Sequence, residues 1–425
     1  MCRSISRFIL TSAGLLACFW GVWFSGRCGM AELLSYYGSV STSLPAVDKA
    51  VALTPDNPLV HRDRALVLLQ SGHLHEAKLE FERAIERQPR NYYLWLELGR
   101  ARDQTNDQGA LTAFQEAVRL APYYAEPHWQ LGNLMLRLGQ RDEGFAEMRQ
   151  AAEIDVALFP SLVDLAWGAY GGNDSLVAKI VNPRIDSSRT VLARYFAIKG
   201  RPSAAIALFR AAHTVPETER RGLLSDFLAA KQFAEAHEVW AGKSRVQPDP
   251  TGAAITDAGF ESQISFDELG FGWHLPSSLQ GVRIAVDSAN PHSGTRSLEI
   301  QLDGNVTPAA AIVSQLTLVA PNSQYRLHFA ARTRELITES PLLIMVTDAG
   351  GRDARELGHS ESFTKTSDGW QDYSLDFATG QDTTAVVVAL LRRDCQVSHC
   401  PVYGRIWLDD FSIEKLPGAI IAADQ

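Results

Sequence analysis

Three segments of this chain end alike. "HEAKLEFERAIERQP" closes at Pro89, "GALTAFQEAVRLAP" at Pro122 and "DEGFAEMRQAAEID" at Asp155. Within them Phe81, Phe114 and Met148 stand 33 and 34 positions apart, and Ala84, Ala117 and Ala151 keep the same steps. A period of that length constrains the fold more than any single motif, because it makes the folding unit a short helix pair. Between the segments lie "WLELGRA", with Trp95, Leu98 and Gly99, and "WQLGNLMLRLG", with Trp129, Leu131 and Gly132. Each unit reads as two amphipathic helices turned at Gly72, Asn106 or Gly139. Small residues at Ala65, Gly99 and Gly132 let the first helix of a pair approach its neighbour. One pair cannot bury its apolar face alone, so the pairs must stack.

The register blurs from Ala157 to Arg189 and resumes in "VLARYFAIKGRPSAAIALFRAA" and "GLLSDFLAAKQFAEAHEVWAG". The reading is five to seven helix pairs over residues 47–242. The marks Trp95, Leu98, Gly99, Phe114, Ala117 and Pro122 resemble the tetratricopeptide repeat family, with Phe81, Ala84, Pro89, Leu131, Gly132 and Ala151 matching in the flanking units. That resemblance implies an all-α superhelix whose concave face binds an extended peptide or protein surface. Arg64, Asn91, Arg100, Asn133 and Arg137 are the protein-binding candidates it nominates on the first helices of the pairs. Trp95 and Trp129 read as packing residues.

The grammar changes after Gln247. Pro, Gly and Asp punctuate residues 243–253, read as a linker, and "AITDAGFESQISFDELGFGWHL" opens a region of alternating patterns. "SLEIQLDG" puts Leu298, Ile300 and Leu302 on one face, and "YRLHFAAR" does the same for Tyr325, Leu327 and Phe329. Eight to ten short strands over residues 254–418 argue for an all-β jelly-roll sandwich. "ITDAGFE", "ANPHSGTRSLEI", "LVAPNSQYRLHFAAR", "GWQDYSLDF" and "GRIWLDDFSIEKL" resemble carbohydrate-binding modules of the galactose-binding-like fold. The resemblance implies a possible polysaccharide partner, with Trp273, His274, Tyr403 and Trp407 as glycan-binding candidates beside Phe271. It also implies a possible structural calcium ion held by Glu261, Asp287 and Asp410, with Asp409 as a substitute.

The N-terminus is set apart by composition. Phe8 to Gly26 is an uncharged run of 19 residues, flanked by Arg3, Arg7 and Arg27. Residues 1–28 are therefore expected to be a retained membrane-spanning anchor or a cleaved signal peptide, with Cys18 in "LLAC" as a lipidation candidate. The retained reading places the bulk of the chain on the periplasmic or extracellular side, and the others make it secreted or a lipoprotein. Cys395 and Cys400 in "DCQVSHC" read as a local disulfide, compatible with export, with free thiols or a metal pair completed by His399 as the alternatives.

Charge and motif content bound the chemistry. From Thr251 onward 12 Lys and Arg face 22 Asp and Glu, which excludes a nucleic-acid groove. No GxSxG, HExxH or GxxxxGK[ST] occurs, and no carboxylate pair stands out for glycoside hydrolysis. The expectation is a non-enzymatic exported adaptor in envelope or exopolysaccharide assembly, binding protein through its repeats and glycan through its sandwich. The alternatives are an assembly protein whose jelly roll binds no sugar, and a remote carbohydrate-active enzyme.

Overall fold

The computed structural model describes residues 2–242, 254–304, 306, 311–351, 354–363, 366–367, 369–393 and 401–417, with backbone only for residues 2–14 and 17. The chain divides into two compact units, residues 1–182 and 183–425.

The first unit is a stack of helix pairs: α1 (Cys2–Ser41) with α2 (Leu44–Leu53), α3 (Pro58–Gln70) with α4 (Leu74–Arg87), α5 (Tyr92–Gln104) with α6 (Gly109–Leu120), α7 (Ala125–Arg137) with α8 (Arg141–Ile154), and α9 (Phe159–Ala169) with α10 (Asp174–Val181). The turns fall where the period places them: Gly72, Asn106 and Gly139 have φ of 80°, 52° and 83°. Phe81, Phe114 and Met148 are buried, as are Ala84, Ala117 and Ala151. Gly132 shows why small residues are needed. A Cβ there would stand 2.7 Å from the Gly144 carbonyl oxygen and 2.7 Å from Met148 Cγ.

The expectation of a membrane-spanning anchor is corrected. Among the described residues no helix is long and apolar enough to cross a membrane. The physical reason is that the apolar run opens α1, and α1 continues past Gly26 through Arg27 and Glu32 into the stack. Ala31 packs with Ala50 and Val60, and the Ser35 hydroxyl donates to Asp63 Oδ2 at 2.7 Å. The membrane partner and the anchored location expected from that run fall with it. Cys18 is a free, exposed thiol on α1. No disulfide is present among the described residues, whose free thiols are Cys18 and Cys28; Cys395 and Cys400 lie outside them.

A recurring bond ties successive pairs. Position 61 of the first repeat corresponds to 95 and 128 in the next two, and each residue there reaches the carbonyl of a proline six residues before it. Trp95 Nε1 donates to Pro89 O at 2.9 Å, while His61 and His128 Nε2 meet Pro55 O at 2.8 Å and Pro122 O at 3.1 Å. The two histidines make a second bond through Nδ1, to Glu80 Oε2 at 2.5 Å and Glu147 Oε2 at 2.6 Å. Where the ring is indole, the residue facing it in register is Ala113 instead of glutamate. A carbonyl and a carboxylate are both acceptors, so each imidazole fills both bonds only as the imidazolium. The hydrogen bond donated to Glu80 accordingly raises the His61 pKa, and that donated to Glu147 raises the His128 pKa. A raised folded pKa gives stability that is complete below the unfolded value, near 6.5, and is lost as pH climbs through the folded value. Thermal melts of the full chain followed at 222 nm should therefore show the helical transition falling as pH is raised from about 6 to 8.5. A transition that stays put over that range would rule out charged histidines here.

The second unit begins with two more pairs, α11 (Asp186–Ile198) with α12 (Pro202–Ala211) and α13 (Glu217–Ala229) with α14 (Phe233–Ala241). The sandwich follows. One sheet has the order β1-β4-β9-β6-β7, formed by Trp273–His274, Ala311–Leu318, Ala385–Arg392, Leu342–Asp348 and Glu356–His359. The other has the order β2-β3-β10-β5-β8, formed by Val282–Asp287, Ser297–Asp303, Val402–Lys415, Gln324–Thr338 and Gln371–Ala378. All these pairings are antiparallel. Leu298, Ile300, Leu302, Tyr325, Leu327 and Phe329 point into one shared core, as their alternation requires. Helix α14 rests against the loop before β1: Phe271 is buried, with His237 edge-on at 4.8 Å and Trp240 at 5.8 Å. Trp240 Nε1 donates to Glu268 Oε1 at 3.0 Å, and Lys231 Nζ donates to the Gly350 and Gly351 carbonyls.

Candidate functional site

The glycan candidates do not form one surface. Trp273 is 7% exposed and belongs to the sandwich core, with Phe260 and Phe411 rings each 4.9 Å away. Its Nε1 donates to Asp257 O at 3.0 Å, so even its polar edge is engaged. His274, next along β1, is exposed and places Nδ1 3.2 Å from Glu268 O.

On β10, Ile406 and Leu408 point into the core and Trp407 lies on the opposite face of the sheet. That face is the solvent side, yet Trp407 is only 5% exposed. Arg332, directly across on β5, lays its guanidinium 4.3 Å from the Trp407 ring centre and 5.3 Å from that of Trp370. The cation thus fills the place a pyranose would need. Asp287 Oδ2 accepts the Trp407 Nε1 proton at 2.8 Å and holds the indole edge. Tyr403 is the open member, 48% exposed beside Ile337 at 68%.

The four acidic candidates have separate duties. Asp287 holds Trp407 and accepts from Ala289 N. Glu261 accepts from Thr295 N, the Thr295 hydroxyl and Arg296 N, which hold its carboxyl below the usual range. Asp410 meets His292 Nδ1 and the Ser293 hydroxyl, both at 2.5 Å. The bond to Asp410 raises the His292 pKa. Asp409 is wholly buried and accepts from His292 N, Ser293 N and Asp410 N, and burial pushes its pKa up. Among the described residues no group of three or more His, Cys, Asp or Glu side chains is placed to hold a metal ion.

The protein-binding candidates are mostly engaged within the repeats. Arg64 pairs with Asp48 and Glu80, Arg100 with Glu97 and Glu126, and Arg137 with Asp103. Asn91 caps α5 by accepting from Tyr93 N at 3.2 Å. Asn133 is half-buried and makes no side-chain hydrogen bond among the described residues. Sequence reasoning passed over the tyrosine pairs in "NYYLW" and "APYYAEPHW". The Tyr92 and Tyr124 rings meet at 4.9 Å with their planes tilted by 38°, Tyr123 is 84% exposed, and Tyr93 and Leu59 share one register position and are both exposed. The signal was present, since a doubled aromatic at a helix start has no packing position to fill in the repeat.

Comparison with known proteins follows the same division. A family model described as tetratricopeptide repeat matches residues 62–125, and one described as carbohydrate binding domain matches residues 252–393. Among solved structures, a crystal structure of MamA protein is 18% identical, covering 38% of this chain and 91% of that one, with a TM-score of 0.33. YrrB, titled a TPR protein with an unusual peptide-binding site, is 21% identical over 37% of this chain and 86% of its own, with a TM-score of 0.31. The CBM22-1 xylan-binding domain from Paenibacillus barcinonensis Xyn10C is 16% identical over 40% and 98%, with a TM-score of 0.28. No curated protein matches.

Proposed function

We propose that this chain, which joins tetratricopeptide-like helical repeats to a carbohydrate-binding-domain-like sandwich, is a non-catalytic interaction scaffold. Its repeats hold a protein, and its sandwich is a structural module that does not use the two nominated tryptophans to stack sugar. The observation that carries this reading is the covering of both: Trp273 lies in the core, and Trp407 lies under Arg332. Stacking on a pyranose needs an open aromatic face, and of the nominated tyrosine and tryptophans Tyr403 alone is exposed. The finer reading, glycan binding in envelope or exopolysaccharide assembly, therefore rests on Tyr403. The protein partner would meet the open side chains Leu59, Tyr93, Tyr123 and Tyr124, because tyrosine gives large contact area at small entropic cost.

One pair of measurements tests both halves. The full chain should retain no xylan or glucan at roughly millimolar ligand, and a protein captured from native extract should be lost on Tyr93→Ala with Tyr124→Ala. Sugar binding tighter than about 100 µM that disappears on Tyr403→Ala would overturn the structural reading of the sandwich.

A structural calcium ion is the remaining proposal from the resemblance, and Asp409 supports it. A wholly buried carboxylate beside Asp410, met only by backbone N–H groups, is electrostatically favoured by a nearby divalent cation. The sandwich melting temperature is expected to rise by several degrees (about 1–2 kcal/mol) when calcium is added after chelation. An unchanged value removes the ion.

A further inference from the structure

Helix α7 carries two polar side chains that the rest of the array does not satisfy. Trp129 and Asn133 stand one turn apart on the same face and are both half-buried. Neither makes a side-chain hydrogen bond among the described residues, and the polar atoms of both reach solvent. The repeat register shows that Trp129 is not the packing tryptophan of its unit. His128 takes the position that Trp95 fills in the preceding unit, where each ring meets the carbonyl of the proline six residues before it. Trp129 therefore corresponds to Leu96 and Arg62. Leu131, Leu134 and Met135 of the same helix enter the apolar cluster on which Trp95 packs, and Trp129 does not.

The surroundings of this pair are charge-neutral. Its stripe of α7 runs through Glu126, Gln130 and Arg137. Arg100 on α5 bonds both Glu97 and Glu126, Gln130 Nε2 donates to Glu126 Oε1 at 2.8 Å, and Arg137 pairs with Asp103. The groups left for a ligand are an indole with its N–H donor and a carboxamide with donors and an acceptor. Four residues of helix rise about 6 Å, and alternate residues of an extended chain are about 6.6 Å apart with their N–H and C=O groups on one side. The two side chains thus match two successive bonding positions along one edge of an extended backbone.

We propose that Trp129 and Asn133 anchor an uncharged, extended segment of the protein that the repeats hold. The Asn133 carboxamide accepts the N–H of one main-chain residue and donates to the C=O of the same residue. Trp129 Nε1 donates to the carbonyl two residues along, and the open part of the ring packs on an apolar side chain of the segment. Such a role presupposes protein binding by the repeats. It selects a neutral partner over an anionic one, because Arg64, Arg100 and Arg137 are already held in ion pairs.

A phage-displayed library of random linear dodecapeptides, selected on the full chain, tests it. The consensus should be uncharged with an apolar residue, and its synthetic copy should change affinity less than ~2-fold between about 0.05 and 0.5 M NaCl. Trp129→Ala and Asn133→Ala should each weaken that peptide by more than ~10-fold. If either variant fails to fold by circular dichroism at 222 nm, Trp129→Phe and Asn133→Asp replace them, with an expected loss above ~3-fold. Peptide binding that survives these substitutions overturns the proposal, as does a charged consensus whose affinity falls with salt. Binding lost on Tyr93→Ala with Tyr124→Ala but kept in the Trp129 and Asn133 variants removes this anchor and leaves the repeats a protein-binding surface. A selection that returns no peptide also overturns the anchor, and leaves capture of a folded protein to be judged by its own variants.

Discussion

Glu80→Ala is expected to lower the stability of the repeat array by about 3–5 kcal/mol, read as a shift in the urea midpoint of the helical transition. The carboxylate is 1% exposed and is the common acceptor for His61, Arg64 and Arg83. Those contacts, the His61 bond foremost among them, hold its pKa low against the opposing pull of burial. Its removal leaves the buried His61 without its counter-ion and Arg64 with Asp48 alone, which costs more than the pair was worth. The repeat register also supplies the rescue. In the next unit the three corresponding positions are Trp95, Leu98 and Ala113, an apolar solution to the same packing problem. His61→Trp, Arg64→Leu and Glu80→Ala together should restore most of the loss, because the indole N–H can still reach the Pro55 carbonyl. A triple variant no more stable than Glu80→Ala alone would show that the two solutions are not interchangeable.

Trp273→Ala should cost the sandwich about 3–5 kcal/mol, the range for emptying a large aromatic from a core. The ring touches Phe260 and Phe411, which come from opposite ends of the sandwich sequence, so the cavity opens where the first and last segments meet. The indole also leaves Asp257 O without its donor. Tyr403→Ala, on an open face, should stay within about 0.5 kcal/mol of wild type. The contrast separates a stability residue from a ligand residue: if Trp273→Ala melts like wild type, the ring is not part of the core.

The parts of the fold that were legible in the sequence are those that a local period controls. The 33–34 residue step located the helix pairs and the left-handed turns at Gly72, Asn106 and Gly139, and alternation located the inward residues of β3 and β5. The site was less legible because it depends on partners distant in sequence. Alternation says that Trp407 and Ile406 face opposite ways, but not that Arg332, 75 positions earlier, covers the outward one. Likewise the groove arginines look free until their carboxylates, up to 34 residues away on a neighbouring first helix, are in place. The apolar N-terminal run misled for a related reason. Hydropathy over Phe8 to Gly26 ignores the fact that the same helix continues into the stack and buries Ala31 and Ser35 there.

The packing of α14 on the loop before β1 decides where this chain can be divided. A sandwich fragment begun at residue 254 matches the change in sequence pattern but strips His237 and Trp240 from Phe271. It would bare a ring that is 2% exposed in the intact unit and delete the Lys231 clasp on the Gly350 and Gly351 carbonyls. Such a piece should be sticky and poorly behaved for reasons unrelated to its ligands. A cut at the 182/183 boundary instead keeps α14 with the loop it covers and Lys231 with its two carbonyls.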